Sequence, residues 1–459
     1  AAACNNNATG VTRVMTMDQS QLEFVYDPLV YAQAVPFEAL TALRAQGPVV
    51  WVDEHQLPQW PGGKGFWFVT RHAECQQALK SAKIFSSQVG GTQLRDPATP
   101  DDLVYVQQMM LNMDPPDHTR LRRMLINAFT SRAIRQLEDR IRQHAADIVD
   151  RVIAGAQSGE CDFVKDIASD MPLLCLADIF GLPSEDRYLM FDWANRVIGY
   201  QDPEYAGSSR FDVSRGTPMA REALKLRPVP DADGKLPDPR SRHGMDDLYR
   251  YAHLLAEYKR EHPGDDVMSI LLAQIDEEGG KLTIAEFENM FWLFAVAGNE
   301  TLRNAIPGGM LALLQHPAAW RELQDAPDLM PGAVEEMLRW WTPVMNFRRT
   351  AAQDTTLGGV TIGAGDKVLL SFLSANHDER VFRDPAVFDI RRDPNPHLSF
   401  GHGPHFCIGA QLAVAQMRAL FTELGRRFDR FELAGDPTFL RSNFQRGVKT
   451  LPVRWQARQ

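Results

Sequence analysis

Ten residues near the end of the chain constrain it more than any other stretch: Phe400-Gly401-His402-Gly403-Pro404-His405-Phe406-Cys407-Ile408-Gly409. Gly401, Gly403 and Gly409 let the backbone turn with positive φ and pass close to a flat object, while Pro404 removes an amide donor and stiffens the loop. Cys407 stands just ahead of a helix-forming run, residues 409–420. The dipole and free amides of that helix start favour an anion, so the spacing predicts a lowered thiol pKa and a thiolate suited to a metal. Two other readings stand beside this one. A buried structural cysteine needs no metal, and a zinc site could be drawn from His402, His405 and Cys407, although no second ligand cluster follows it.

The 459 residues carry a formal net charge of −10 with 44% apolar and 24% charged side chains. An acidic globule of this kind disfavours a nucleic-acid partner, and no clear linker divides it, so one domain is expected. Cys4, Cys75, Cys161, Cys175 and Cys407 are scattered and odd in number, which is no disulfide framework and fits a reducing cytoplasm. The longest apolar run, residues 290–298, falls far short of the ~20 residues that span a bilayer, so no membrane association is expected. Residues 1–19 read as a disordered or added leader, with Met15 or Met17 as natural starts.

Along the chain, residues 66–70 are β-prone and 73–81 helical, which predicts a small sheet near the N-terminus. Residues 85–114 form a long loop with one helical piece. A helix then opens with Pro115 and Pro116 at its first turn, and His118 and Arg122, four apart, share a face of it. A solvated basic face would also account for them. Two amphipathic helices, with Gly155 and Gly159 between them, fill residues 131–180. Ser184 is expected to cap a helix over 184–200, and the proline-rich stretch 201–245 has the least ordered composition.

Helices follow at 246–261 and 265–275, and the longest starts near Thr283. Phe291, Phe294, Ala295, Val296 and Ala297 make it apolar nearly all round, so it should run through the interior. Inside it, Ala297-Gly298-Asn299-Glu300-Thr301 breaks the pattern, since Gly costs ~1 kcal/mol against Ala and Glu resists burial. A break of this kind marks a candidate site; a plain helix with exposed Glu300 and Thr301 is the alternative. Pro307 should kink or end this helix. Glu336 and Arg339 share a helix face three residues apart.

Residues 400–409 resemble the haem-thiolate signature of cytochrome P450, and residues 297–301 resemble that family's oxygen-activating segment. The resemblance covers roughly residues 20 to 455. It implies a mainly α fold with small β-sheets, one haem-centred domain at 20–459, and haem b as cofactor. Cys407 would be the axial iron ligand. His118, Arg122, Arg349 and His405 would meet the propionates, with Arg348 the alternative to Arg349, and Ala297, Phe400 and Gly409 would complete the cofactor site. Glu300 and Thr301 would handle protons. The substrate pocket would draw on Val89, Leu94, Leu293, Phe294, Ala297, Val344, Met345, Phe347 and Phe444. Glu336 and Arg339 would be buried on the thiolate side and tied to a meander with Pro385, Phe388 and Arg392, and residues 201–245 would cover the pocket entrance. The hairpin expected within 439–455 would send its tip to the pocket. In one departure, Gln416 stands where the family usually has Glu, which predicts a lost surface or structural charge without effect on haem ligation.

The activity implied is that of a soluble, monomeric, cytoplasmic monooxygenase. It would insert one atom of O2 into an apolar small molecule of terpenoid, steroid or fatty-acyl type, using two electrons from a ferredoxin and ferredoxin reductase. No glycine-rich flavin or nicotinamide fingerprint follows any strand, so the electrons come from outside. The expected donor is a small acidic ferredoxin docking near Arg120, Arg123 and Arg418. Two other functions carry the same signature: a peroxide-driven peroxygenase, against which the presence of both Glu300 and Thr301 argues, and a non-catalytic haem protein that binds a ligand.

Overall fold

The computed structural model of the chain describes residues 17–129, 131–234, 236–241, 243–275 and 282–458. Most of the expected leader thus lies outside the described residues. Its last positions do not: Asp18 caps the turn Gln19–Val25 through a capping box, and Leu22 and Val25 in that turn are buried. Among the described residues no helix is long and apolar enough to cross a membrane.

The apolar run read from the sequence becomes the central helix, Ile284–Gln315, started by a capping box between Thr283 and Glu286. Helices Asp170–Phe180, Tyr188–Ile198, Asp246–Glu261 and Met330–Trp341 pack around it. Pro307 does not end it. The chain stays helical there because Gly308 and Gly309 follow at once and lie against helix Met330–Trp341. A Cβ on Gly308 would come within 2.2 Å of the Trp341 ring, and one on Gly309 within 2.9 Å of Met337. Packing this close supplies the stability that the lost hydrogen bond withdraws.

Beside the helices lies a five-stranded sheet in the order Val49–Val52, Phe66–Val69, Lys367–Ser371, Asn346–Ala351, Phe85–Ser86. Phe66–Val69 runs parallel to Lys367–Ser371 and the other pairs are antiparallel. Because strand side chains alternate between faces, consecutive residues in Asn346–Ala351 point to opposite sides. That alternation separates Arg348 from Arg349.

Three local expectations change. The glycine hinge between the helices at 131–180 contains a strand, Ser158–Asp162, paired with Pro452–Ala457, which also pairs with Phe428–Leu433. Its sequence has no strand propensity, and it forms because Trp455 covers Gly159 so closely that a Cβ there would lie 2.6 Å from the indole. Ser184 does not cap the next helix. Its hydroxyl donates to Glu185, and the helix proper starts at Tyr188 without a side-chain cap, while Asp186 is spent on Thr217 and on the Tyr251 hydroxyl at 2.8 Å. Parts of the stretch 201–245 are more regular than its composition suggests: Pro203 and Pro218 are first residues of short helices, Pro203–Gly207 and Pro218–Ala223, capped by Asp202 and Thr217. Proline at that position breaks nothing, because its missing amide would have had no partner.

Under the cysteine loop, Glu336 and Arg339 are fully buried and joined by two bonds of 2.7 Å. Arg339 also donates to the carbonyls of Asn376, Pro385 and Val387, and Glu336 accepts from Arg392, Asn395 and the amide of Asp389. The pair therefore binds the meander at 385–395 to the helix below it. Arg339→Leu leaves a buried carboxylate short of its main partner and should cost ~3–5 kcal/mol, read as a lower urea midpoint. A loss under ~1 kcal/mol, the worth of an exposed pair, would show that the pair does not brace the fold.

Candidate active site

The loop at 400–409 takes its shape from two glycines with φ of 70°, Gly401 and Gly403. At Gly403 the backbone runs against helix His72–Lys80, where a Cβ would meet the Leu79 carbonyl at 2.5 Å. The Cys407 amide donates to the Phe400 carbonyl at 2.9 Å, which closes the loop, and helix Ala410–Arg427 begins after Gly409. The Cys407 side chain is exposed to a cavity. Burial pushes its thiol up, opposed by the Gly409 amide and the Arg122 charge. The lowered pKa expected from the helix dipole is thus reversed. Desolvation of a thiolate outweighs one helix end, and a bound metal cation is what would deprotonate it.

The cavity holds about 260 Å³, far above the ~10–15 Å³ that a single water needs. Its floor is Phe400, Cys407, Gly409, Leu412 and Ala413, and the central helix lends Leu293, Phe294, Ala297, Gly298 and Thr301 to its wall. One corner is cationic. His118 and Arg122 arrive from helix Asp117–Ala128, Arg349 from the sheet and His405 from the loop. The His118 and His405 rings lie 4.0 Å apart, and His118 Nδ1 is buried without a partner. Burial first, then the neighbouring Arg122, drives His118 down to about 4; burial and Arg349 drive His405 to about 2. Burial brings Arg349 to about 10. The nearby carboxylate of Asp114 already accepts from Ser86 and from the Ser87 amide. Two guanidiniums in an apolar cavity, beside two imidazoles held neutral, call for an anion.

Arg348 takes the other face of the strand, where it pairs with Asp96 and donates to the Leu94 carbonyl, so Arg349 is the arginine that meets the cavity. Of the pocket residues expected from the sequence, Leu293, Phe294, Ala297, Val344 and Phe347 are on the wall. Val89, Leu94, Met345 and Phe444 are not. Val89 is 48% exposed on the outside, and Leu94 and Met345 turn into the cluster under the N-terminal sheet. Phe444 packs behind the wall, its ring 5.4 Å from that of Phe347. Loop residues around 87–96 are held by Asn112, which accepts from Thr92, and by the Arg348–Asp96 pair. Conversely, Leu176 and Ile179 line the cavity although their helix reads as scaffold; no local signal marks them.

Thr301 faces the cavity and donates to the Ala297 carbonyl at 2.7 Å. Glu300 does not line the cavity. It is fully buried, paired with Arg303, and accepts from the Tyr205 hydroxyl at 2.7 Å and from Asn304 at 3.1 Å. Gln416 is no surface position either: it is 6% exposed, borders the cavity, and its Oε1 has no partner. A carboxylate there would be a buried charge, which the amide avoids. Among the described residues no group of three or more His, Cys, Asp or Glu side chains could hold a metal ion, so His402, His405 and Cys407 do not converge as a zinc site.

A flat anionic macrocycle with a central metal fits these residues: one thiol on one face, small residues and Thr301 on the other, and two arginines with two buried histidines at the edge. Comparison with known proteins agrees. The cytochrome P450 family model matches residues 250–454. The chain is 36% identical to a steroid C26-monooxygenase of Mycolicibacterium smegmatis, over 94% of this chain and 92% of that protein. It is also 36% identical to a methyl-branched lipid omega-hydroxylase of Mycobacterium tuberculosis, over 91% of this chain and 90% of that one. The structure of Mycobacterium marinum cytochrome P450 CYP268A2 in complex with pseudoionone superposes with a TM-score of 0.77 at 34% identity, covering 92% of this chain and 96% of the other.

Replacing Arg122 and Arg349 together by Ala removes two of the cationic groups available to a bound dianion. The double variant, purified with haem, should release it on gel filtration while the parent retains it, and full occupancy in the variant would show that these side chains do not hold the cofactor.

Proposed function

The chain belongs to the cytochrome P450 family and is a haem monooxygenase of apolar small molecules; from that premise we propose that Cys407 would hold the haem metal through its thiolate and that the substrate is an elongated lipid of steroid or methyl-branched type. The observation that carries this reading is the Cys407 thiol facing the one cavity that also collects Thr301 and the cationic corner. The two curated relatives, one named for a steroid and one for a branched lipid, support the substrate class, as does a wall built from Leu293, Phe294, Val344 and Phe347.

Haem bound here supplies the activation of O2 and the transfer of one oxygen atom to carbon, with the thiolate donating electron density to the metal. The remaining work falls to the chain. His118, Arg122, Arg349 and His405 hold the carboxylate edge; Ala297 and Gly298 leave room on the far face; the apolar wall orients the substrate and keeps water out. The Thr301 hydroxyl, now turned to the Ala297 carbonyl, holds a proton donor at the cavity, and Glu300 brings protons to it from the solvent side. Electrons come from a small acidic ferredoxin. Arg123 and Arg418 are exposed and Arg120 is paired with Glu286, so the docking patch draws on Arg123 and Arg418, with Arg120 at its border.

Two experiments test the reading. Reduced protein with carbon monoxide should show the long-wavelength band of thiolate ligation, and Cys407→Ser should lose it; a band that survives would remove Cys407 from the metal. Thr301→Ala should keep haem, the thiolate spectrum and ligand affinity while reductant is diverted from product to hydrogen peroxide. An undiminished yield of product per electron would return Thr301 to a helix residue without a role in proton transfer.

A further inference from the structure

Ile179 borders two spaces. On its inner side is the cavity of Cys407, where it stands with Phe129, Leu176 and Leu302. On its outer side is a surface groove of about 650 Å³, bounded by helices Ser131–Ile153 and Asp170–Phe180 and by the start of helix Val267–Ile275. Among the described residues Ile179 is the only one that lines both, so the partition at this point is a single residue. The residues around it are pinned. Leu176, on the same helix face, packs onto the central helix, where a Cβ on Gly298 would lie 2.9 Å from its Cδ2. Asp178 accepts from Arg140 at 2.8 Å and bonds His144 at 2.7 Å. Phe180 is fully buried, its ring 4.7 Å from that of Phe291. Gly181 ends the helix with a φ of 58°, and a Cβ there would run into Lys259 Nζ, which is bonded to Asp266 at 2.6 Å. The backbone of Ile179 is therefore fixed, and a branched side chain in a helix keeps one χ1 rotamer, so only its terminal methyl arm is free to swing.

We propose that dioxygen enters the Cys407 cavity from this groove, past Ile179, by a path separate from the substrate's. The inference rests on the reading of Cys407 as the residue that would hold the haem metal. Its physical basis is the chemistry of the path. The rim of the groove carries Asp139, Arg140, Asp178 and Asp265, but its floor is the buried pair Leu137 and Val267, and everything met beyond Ile179 is apolar. A charged or polar solute would leave its hydration shell at that floor without finding a partner. An elongated lipid does not pass a partition that yields by one methyl arm. A small apolar gas needs neither hydrogen bonds nor much room, and apolar cavities in proteins take up ligands of that kind. The reaction itself gives a second entrance its use: it needs O2 and the lipid in the cavity together, and a lipid lying against Leu293, Phe294, Val344 and Phe347 obstructs any later arrival from that side. Ile179 stands across the cavity wall from none of those positions; it belongs to the part lined by Phe129, Leu176 and Leu302.

The test uses carbon monoxide as the probe, an apolar diatomic whose binding to reduced haem is read directly in absorbance. Its association rate with the reduced, haem-loaded protein is followed after flash photolysis in the parent and in Ile179→Ala, Ile179→Phe and Val344→Phe. Ile179→Ala removes the side chain beyond Cβ and should raise the rate about tenfold, with more of the photolysed gas escaping before it rebinds. Ile179→Phe thickens the partition and should lower the rate by a similar factor. Opposite changes at one position cannot both come from a folding defect. Val344→Phe narrows the substrate side and should leave the rate within about twofold of the parent's. If Ile179→Phe slows carbon monoxide no more than Val344→Phe does, the gas uses the substrate's way in and the inference is overturned; an unchanged rate in Ile179→Ala overturns it as well. Failure of the underlying reading looks different: the parent's carbon monoxide complex would lack the long-wavelength band of thiolate ligation, whereas a normal band with rates indifferent to Ile179 removes the gas path alone.

Discussion

A thiol set in an apolar cavity among positive groups is the constraint on which the other features depend. Cys407 is pushed away from ionisation by burial, and His118, His405 and Arg349 are each pushed toward their neutral forms by the same desolvation. Each group is at a disadvantage alone, and each is relieved by the same guest: a metal takes the thiolate, and carboxylates take the cations. Complementary burdens at opposite parts of one cavity explain why loop, helix and sheet all converge there.

Holding that cavity open requires rigid parts whose own charges are satisfied elsewhere. Glu336 and Arg339 do this beneath the loop, with nearly every donor and acceptor occupied by the meander or by each other. Glu300 and Arg303 are a second buried pair, and the contrast between them is instructive. The lower pair is bonded to backbone carbonyls and an amide that cannot move independently; the upper one depends on Tyr205, a side chain of a short peripheral helix. Desolvated pairs of similar composition are thus completed by backbone groups in one place and by a peripheral side chain in the other.

Much of the fold was legible because its signals are local. The central helix announced itself by an apolar circumference and a start near Thr283; the helix Asp246–Glu261 fell where its periodicity put it. Cys407 was legible for the same reason, as the thiol of a glycine-ribbed loop before a helix. The strand Ser158–Asp162 was not legible, since it is a strand only because Pro452–Ala457 lies beside it and Trp455 covers Gly159.

By itself, the sequence determined which residue types stand next to one another: a thiol before a helix, an acid and an alcohol inside an apolar helix, an acid and a guanidinium three apart. It did not determine where those side chains point. That Glu300 turns from the cavity while Thr301 faces it, that Arg349 and not Arg348 reaches the cationic corner, and that Gln416 is buried with an unpartnered oxygen were decided by packing against chain far away in sequence. A helix or strand presents every direction in turn, and only the neighbours that fill the other directions choose which side chain is left facing the cavity.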